Sequence, residues 1–192
     1  MLYEILNITI LAPSFAIGGH AICYRVCGGY KIPLSVAQHS IAVMLLRRAA
    51  APRPTPVQEL RELLHDAEEG LLGFDAVSVI KPFLGEGFRA LTRRLEQAVF
   101  LRYGLPAWTE KEHRLHKQAD RLAAASEAVH VTGWTREEVR RTLKIRAEVL
   151  ESDPLALHYG CTPWEPWPPG VAAQRFLDEL ERLKREAGHA AQ

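Results

Sequence analysis

Residues 55–72 read TPVQELRELLHDAEEGLL, and the reading of this stretch decides the fold. Thr55, followed by Pro56 and then Gln58, has the form of a helix start. The hydroxyl caps the third amide, the glutamine reaches back to the capping residue, and a proline at the first helical position sacrifices no hydrogen bond. Val57, Leu60, Leu63, Leu64 and Ala67 then recur at steps of three and four, the apolar stripe of an amphipathic helix. Outward from this stretch the same start pattern repeats at Ser35 with Gln38, Thr109 with Glu112 and Thr135 with Glu138. A second stripe runs through Phe88, Leu91, Leu95, Val99, Leu101 and Tyr103. Together these signals predict helices over 35–49, 56–71, 76–83, 87–103, 110–131, 136–151 and 169–187, joined by short connectors rich in proline and glycine at 51–54, 104–106 and 161–170. No strand pattern stands outside the N-terminus, and the first 34 residues resist assignment. The expected fold class is all-α, a helical bundle in a single domain.

Composition agrees with that reading. A chain of 192 residues hides roughly 70% of its unfolded surface on folding, so one apolar core can hold it without disulfides or structural metal. Lys plus Arg number 24 against 23 Asp plus Glu, a net charge of +1. That balance argues against a protein whose affinity comes from neutralising many phosphates of a nucleic acid polymer. The three cysteines, Cys23, Cys27 and Cys161, are an odd number and point to packed thiols in a reducing cytoplasm rather than to a disulfide framework. The apolar run from Ile5 to Ile22 lacks a basic leader and is broken by Pro13, Gly18, Gly19 and His20. Neither a targeting signal nor a membrane span is expected from it.

The chemistry concentrates at His65-Asp66 within LLHDAEEGLL. Leu63 and Leu64 turn this face toward the core, where an adjacent imidazole and carboxylate are costly unless they pair or hold a cation. His39, in SVAQHSIAVMLL, and Asp120, in HKQADRLAAASEA, are polar residues among apolar neighbours on two other predicted helices. Each alone also fits a satisfied buried polar group. Together they supply two imidazoles and two carboxylates, a mixed nitrogen and oxygen set suited to Mn²⁺, Co²⁺, Fe²⁺, Zn²⁺ or Ni²⁺ rather than to a thiolate-preferring site.

The ordered set His39, His65-Asp66 and Asp120, with its flanks SVAQHS, LLHDAEE and HKQAD and the closing AAQRFLDELERL, resembles the H…HD…D signature of the HD-domain metal-dependent phosphohydrolases. The similarity is to the small bacterial and phage subgroup of 5′-deoxynucleotidases and deoxynucleoside triphosphohydrolases, dATP triphosphohydrolases among them, and it covers about residues 20–185. It implies an HD-domain bundle with a motif-bearing core over about 20–131 and C-terminal helices over about 132–187. It also implies His39, His65, Asp66 and Asp120 as ligands of one divalent transition metal, with Mg²⁺ accompanying the substrate phosphates. Glu69 matches the glutamate that orients the attacking water, and Asp75 the acid for the leaving 5′-oxygen, although GFD here is one residue longer than the family's GD. Lys81, Lys117 and Arg25 match phosphate-binding positions. The implied activity is hydrolysis of deoxynucleotide 5′-phosphate esters, dATP favoured, by a cytoplasmic homo-oligomer, a dimer or hexamer, of a bacterial or phage-infected cell. The alternatives are an alarmone-type pyrophosphohydrolase and a non-catalytic, metal-stabilised helical adaptor. Glu68 is expected to be solvated, His113 and His116 to lie on the surface, His20 to line the nucleoside side, Trp164 and Trp167 to serve core or subunit packing, and the charged run from Thr135 to form a solvated face.

Overall fold

A computed structural model describes residues 34–72 and 81–190. The expectations placed on His20, Cys23, Arg25, Cys27 and Asp75 lie outside the described residues. The described chain is helical: α1 (Val36–Ala49), α2 (Pro56–Leu63), α3 (Ala67–Leu72), α4 (Gly85–Tyr103), α5 (Glu110–His130), α6 (Arg136–Glu138), α7 (Pro154–Tyr159) and α8 (Pro169–Ala190). No extended strand occurs among the described residues, and no described helix is long and apolar enough to cross a membrane.

The helix starts follow their capping chemistry. Reciprocal capping boxes form at Thr55 with Gln58, Thr109 with Glu112 and Thr135 with Glu138. At α1 only half the box forms: the Ser35 side chain accepts from the Gln38 amide. The Gln38 side chain turns instead to the distant 161–170 connector, donating to the Glu165 carbonyl at 3.0 Å and accepting from the Trp167 amide at 2.8 Å. A fully buried amide group is better used closing two backbone groups of that connector than one at its own helix end. Gly104 ends α4 in the left-handed conformation, φ 61°, which costs a glycine nothing.

Three expected helices differ. The stretch over 56–71 breaks after Leu63, where residues 64–66 form a turn before α3 begins. Of the 76–83 helix, the described part is a single 3-10 turn, Lys81–Leu84. The helix over 136–151 stops early: α6 passes into a π-helical turn, Val139–Leu143, ending at Lys144 with φ 60°. Beyond it the chain is held by α5 rather than by its own ladder. The Leu150 amide donates to Ser126 Oγ at 2.9 Å and His130 Nε2 donates to the Leu150 carbonyl at 2.7 Å, while Leu143, Ile145 and Val149 pack on Ala125, Ala128 and Val139. With β-branched residues lowering helix propensity, these tertiary bonds prevail. The unexpected α7 carries its own signals, Asp153 as cap, Pro154 at the first position and Gly160 at the end.

The main core joins α1, α2 and α8 through Ile41, Met44, Leu60, Leu63, Leu64, Phe176, Leu180 and Leu183, closed on one side by Trp167 and Leu155. Trp167 is thus a core residue, and Trp164 stacks on His130 with centroids 4.3 Å apart. On its other side α1 packs against α5 through Val43, Ala119 and Ala123. Small side chains on α5 bring the two helices close, and that approach sets His39 opposite Asp120.

Candidate metal centre

His39 sits one turn into α1, His65 and Asp66 in the turn between α2 and α3, and Asp120 in the middle of α5. The break at 64–66 matters here: it lets consecutive residues His65 and Asp66 face one point, which a continuous helix would spread by about 100°. His39 Nε2 lies 3.5 Å from Asp120 Oδ1 and 3.8 Å from Asp66 Oδ2, and His65 Nε2 lies 3.0 Å from Asp66 Oδ2. One ligand atom each from His39, His65 and Asp120 falls within 4.8 Å of the others. Bonds of roughly 2.0–2.2 Å to a common ion place its ligand atoms roughly 3–3.5 Å apart, close to the separations found.

The hydrogen bonds fix which nitrogens face inward. His65 Nδ1 donates to the Glu62 carbonyl at 2.8 Å, and His39 Nδ1 donates to the Glu127 carboxylate at 2.9 and 3.1 Å. Both inward atoms are therefore Nε2. His65 Nε2 is buried, with Asp66 Oδ2 3.0 Å away. A nitrogen lone pair aimed at an oxygen lone pair in a buried site is unfavourable unless a proton or a metal ion lies between them. That close contact, with the mixed imidazole and carboxylate donors, fits a divalent ion of the borderline type.

Electrostatics point the same way. Burial alone would lower the His39 pKa, yet Glu127, Asp120 and Asp66 raise it well above the ordinary imidazole value. His65 is raised, against burial, chiefly by Asp66. Asp66 and Asp120 are lowered, against the same burial penalty, by the two imidazoles, with Lys117 adding to Asp120. The pocket is anionic and draws positive charge, supplied by protons when nothing else is bound.

Around this centre the structure places Glu69 and both lysines. Glu69 is buried, and its Oε1 accepts from Lys81 Nζ at 2.8 Å. It belongs to α3, so its position comes from the turn at 64–66 and not from helical spacing to His65. Its carboxylate still lies in one group with those of Asp66 and Glu68. Lys117 Nζ donates to Asp120 Oδ2 at 2.9 Å. Glu68 is not fully solvated as expected: it is half-buried, and burial together with Asp66 pushes its carboxyl up to about 8.

His113 is exposed as expected, whereas His116 is buried. His116 Nδ1 donates to Glu62 Oε2 at 2.7 Å, and its ring stands edge-on to His65 at 4.8 Å and against Trp108 at 4.7 Å. Arg61 covers Trp108 at 3.8 Å. Glu62 thus orients two imidazoles, His65 with its backbone and His116 with its side chain. Glu62, His116 and Glu127 were missed in the sequence. The usable signal was spacing on α5, where His116, Asp120, Ala123 and Glu127 share one face at steps of three and four.

No family model matches the chain. A curated relative, an uncharacterized protein of Rhodobacter capsulatus, is 40% identical over 108 residues, which make up 56% of this chain and 55% of that protein. The chain therefore spans about half the length of the curated relative it matches. That relative's name assigns no activity, so the chemistry of the site rests on its side chains.

Proposed function

We propose that this chain is a metal-dependent phosphohydrolase of the HD-domain class, acting on deoxynucleotide 5′-phosphate esters. The observation that carries the reading is the convergence of ligand atoms of His39, His65 and Asp120 within 4.8 Å of one another, with Asp66 Oδ2 3.0 Å from His65 Nε2 and 3.8 Å from His39 Nε2. His39, His65, Asp66 and Asp120 would hold the ion. When bound, a divalent ion supplies Lewis acidity toward a phosphate oxygen and a lowered pKa for water.

The remaining steps belong to the chain. Glu69, buried and held by Lys81, offers a carboxylate that can orient a water and accept its proton. Lys81 and Lys117 keep their side chains nearly half exposed, 45% and 43%, so each ammonium can turn from its carboxylate to a phosphate oxygen. A triphosphate brings about four negative charges and calls for several cations. Two lysines beside the centre, with Arg25 elsewhere in the sequence, favour a substrate range that includes triphosphates, with dATP foremost from the family resemblance. The products would be the deoxynucleoside with phosphate or triphosphate.

The test is a panel of dAMP, dADP, dATP and ATP given to metal-loaded protein, with phosphate and triphosphate release followed separately. Cleavage of the deoxynucleotides that is lost in Asp120→Ala supports the reading. Hydrolysis of monophosphates alone narrows it to a 5′-deoxynucleotidase. Metal binding without release from any of the four leaves a metal-stabilised, non-catalytic helical protein.

A further inference from the structure

We propose that Glu127 is the positioning residue for His39: its carboxylate holds the imidazole with Nδ1 protonated and Nε2 turned into the centre, and thereby sets the affinity for a divalent ion. The proposal rests on the metal reading of the site given above.

The two histidines are oriented by different means. His65 is set by the backbone carbonyl of Glu62, three residues earlier in the chain, an acceptor no side-chain substitution removes. His39 is set by a side chain 88 residues away, and both oxygens of Glu127 reach the same Nδ1, at 2.9 and 3.1 Å. A single helix holds the ring from both sides. Asp120 and Glu127 are seven residues apart on α5, two turns along one face and about 10.5 Å in rise. The His39 ring fills that interval, with Asp120 Oδ1 3.5 Å from Nε2 and Glu127 Oε2 2.9 Å from Nδ1.

Charge gives a second, independent argument. Glu127 is 8% exposed, and the hydrogen bonds its carboxylate makes among the described residues all go to His39. Glu62, more deeply buried still, has Arg47 Nε 3.4 Å away as well as the His116 N–H. A buried carboxylate facing one neutral N–H is costly. It becomes favourable when positive charge stands on or behind the ring, from a proton in the metal-free protein or from a cation at the far nitrogen. A carboxylate behind a ligating histidine raises ligand basicity and fixes the tautomer, and its removal typically costs about 10–100-fold in metal affinity.

The experiment measures Zn²⁺ dissociation constants by chelator competition for the unaltered chain, Glu127→Gln and Glu127→Ala. Hydrogen exchange of the His39 Nδ1–H is read in ¹⁵N-histidine-labelled, Zn²⁺-loaded protein. Glu127→Gln keeps an acceptor but loses the charge, so it should weaken Zn²⁺ about tenfold while the Nδ1–H stays protected. Glu127→Ala should weaken it toward about 100-fold and expose that proton to exchange, with helical circular dichroism retained. If Glu127→Ala does not fold, the nearly isosteric Glu127→Gln decides alone. Affinities within twofold of the unaltered chain overturn the proposal, as does an unchanged exchange rate in a folded Glu127→Ala. If the unaltered chain binds no Zn²⁺, the metal reading itself fails, which is a distinct result.

Discussion

Among the described residues, two charge clusters are built in opposite ways. The first joins α1, α2 and α8. Arg48 Nε meets Glu59 Oε2 at 2.9 Å and Arg48 Nη2 meets Glu179 Oε2 at 3.4 Å, while Arg182 bonds Glu179 at 2.7 Å and Glu186 at 2.7 Å. His158 and Tyr159 complete Glu179. Every carboxylate there faces a guanidinium, and none of these side chains leaves a buried polar atom without a partner. The second cluster, His39, His65, Asp66 and Asp120, contains no arginine. It brings ligand atoms of two imidazoles and the Asp120 carboxylate within 4.8 Å of one another, with Asp66 Oδ2 3.0 Å from His65 Nε2. A cluster of matched guanidinium–carboxylate pairs serves the fold; one that gathers imidazole and carboxylate ligands without a guanidinium suits a cation from outside.

If that distinction holds, the two clusters respond oppositely to substitution. The largest effect should come from the second: His39→Ala or Asp120→Ala should abolish both bound divalent metal and turnover while circular dichroism retains most of the helix. Elemental analysis of purified variants checks this. Next in size, Glu69→Ala should keep the metal but lose turnover by about 10²–10⁴-fold, the usual share of a lost general base, as steady-state kinetics with metal analysis would show. In the first cluster, Glu179→Ala should lower stability by about 1–3 kcal/mol, toward the low side because Arg182 and Arg48 are partly exposed. Thermal melts should record that loss while metal content stays unchanged.

The smallest effect sharpens the comparison through pH. The His39 pKa is raised in the folded protein, against burial, by Glu127, Asp120 and Asp66. The folded state thus holds its proton more tightly than the unfolded state does. That contribution to stability is fully present below the ordinary imidazole pKa of about 6.5 and fades as pH rises through the raised value. Metal-free protein should accordingly lose stability upward from about pH 6.5. Metal-loaded protein should gain it over the same range, because protons and metal compete for the same nitrogens. Chemical denaturation at several pH values, with and without Zn²⁺, would show the two slopes.

What the sequence made legible follows from which forces are local. Caps at Thr55, Thr109 and Thr135 are decided within four residues, and all three formed. The four clustered residues were legible because polar groups stand out against Leu63, Leu64, Ile41 and Ala123. The break at 64–66 was not, because the apolar stripe runs unbroken through it and only the approach of α1 and α5 makes the turn useful. His116 and Glu127 escaped for a related reason. Hydrophobic periodicity finds buried faces by their large apolar residues, and the inward face of α5 sets His116, Ser126 and Glu127 among alanines. The irregular chain at 144–150 depends on Ser126 and His130, partners that no local window contains.

The central claim is that His39, His65, Asp66 and Asp120 form one divalent-metal site. Crystals grown with Mn²⁺ and measured for anomalous scattering test it most directly. The account predicts a single strong peak within about 2.3 Å of both Nε2 atoms and of a carboxylate oxygen from each aspartate. No peak there, with Mn²⁺ ordered elsewhere or nowhere, would contradict it.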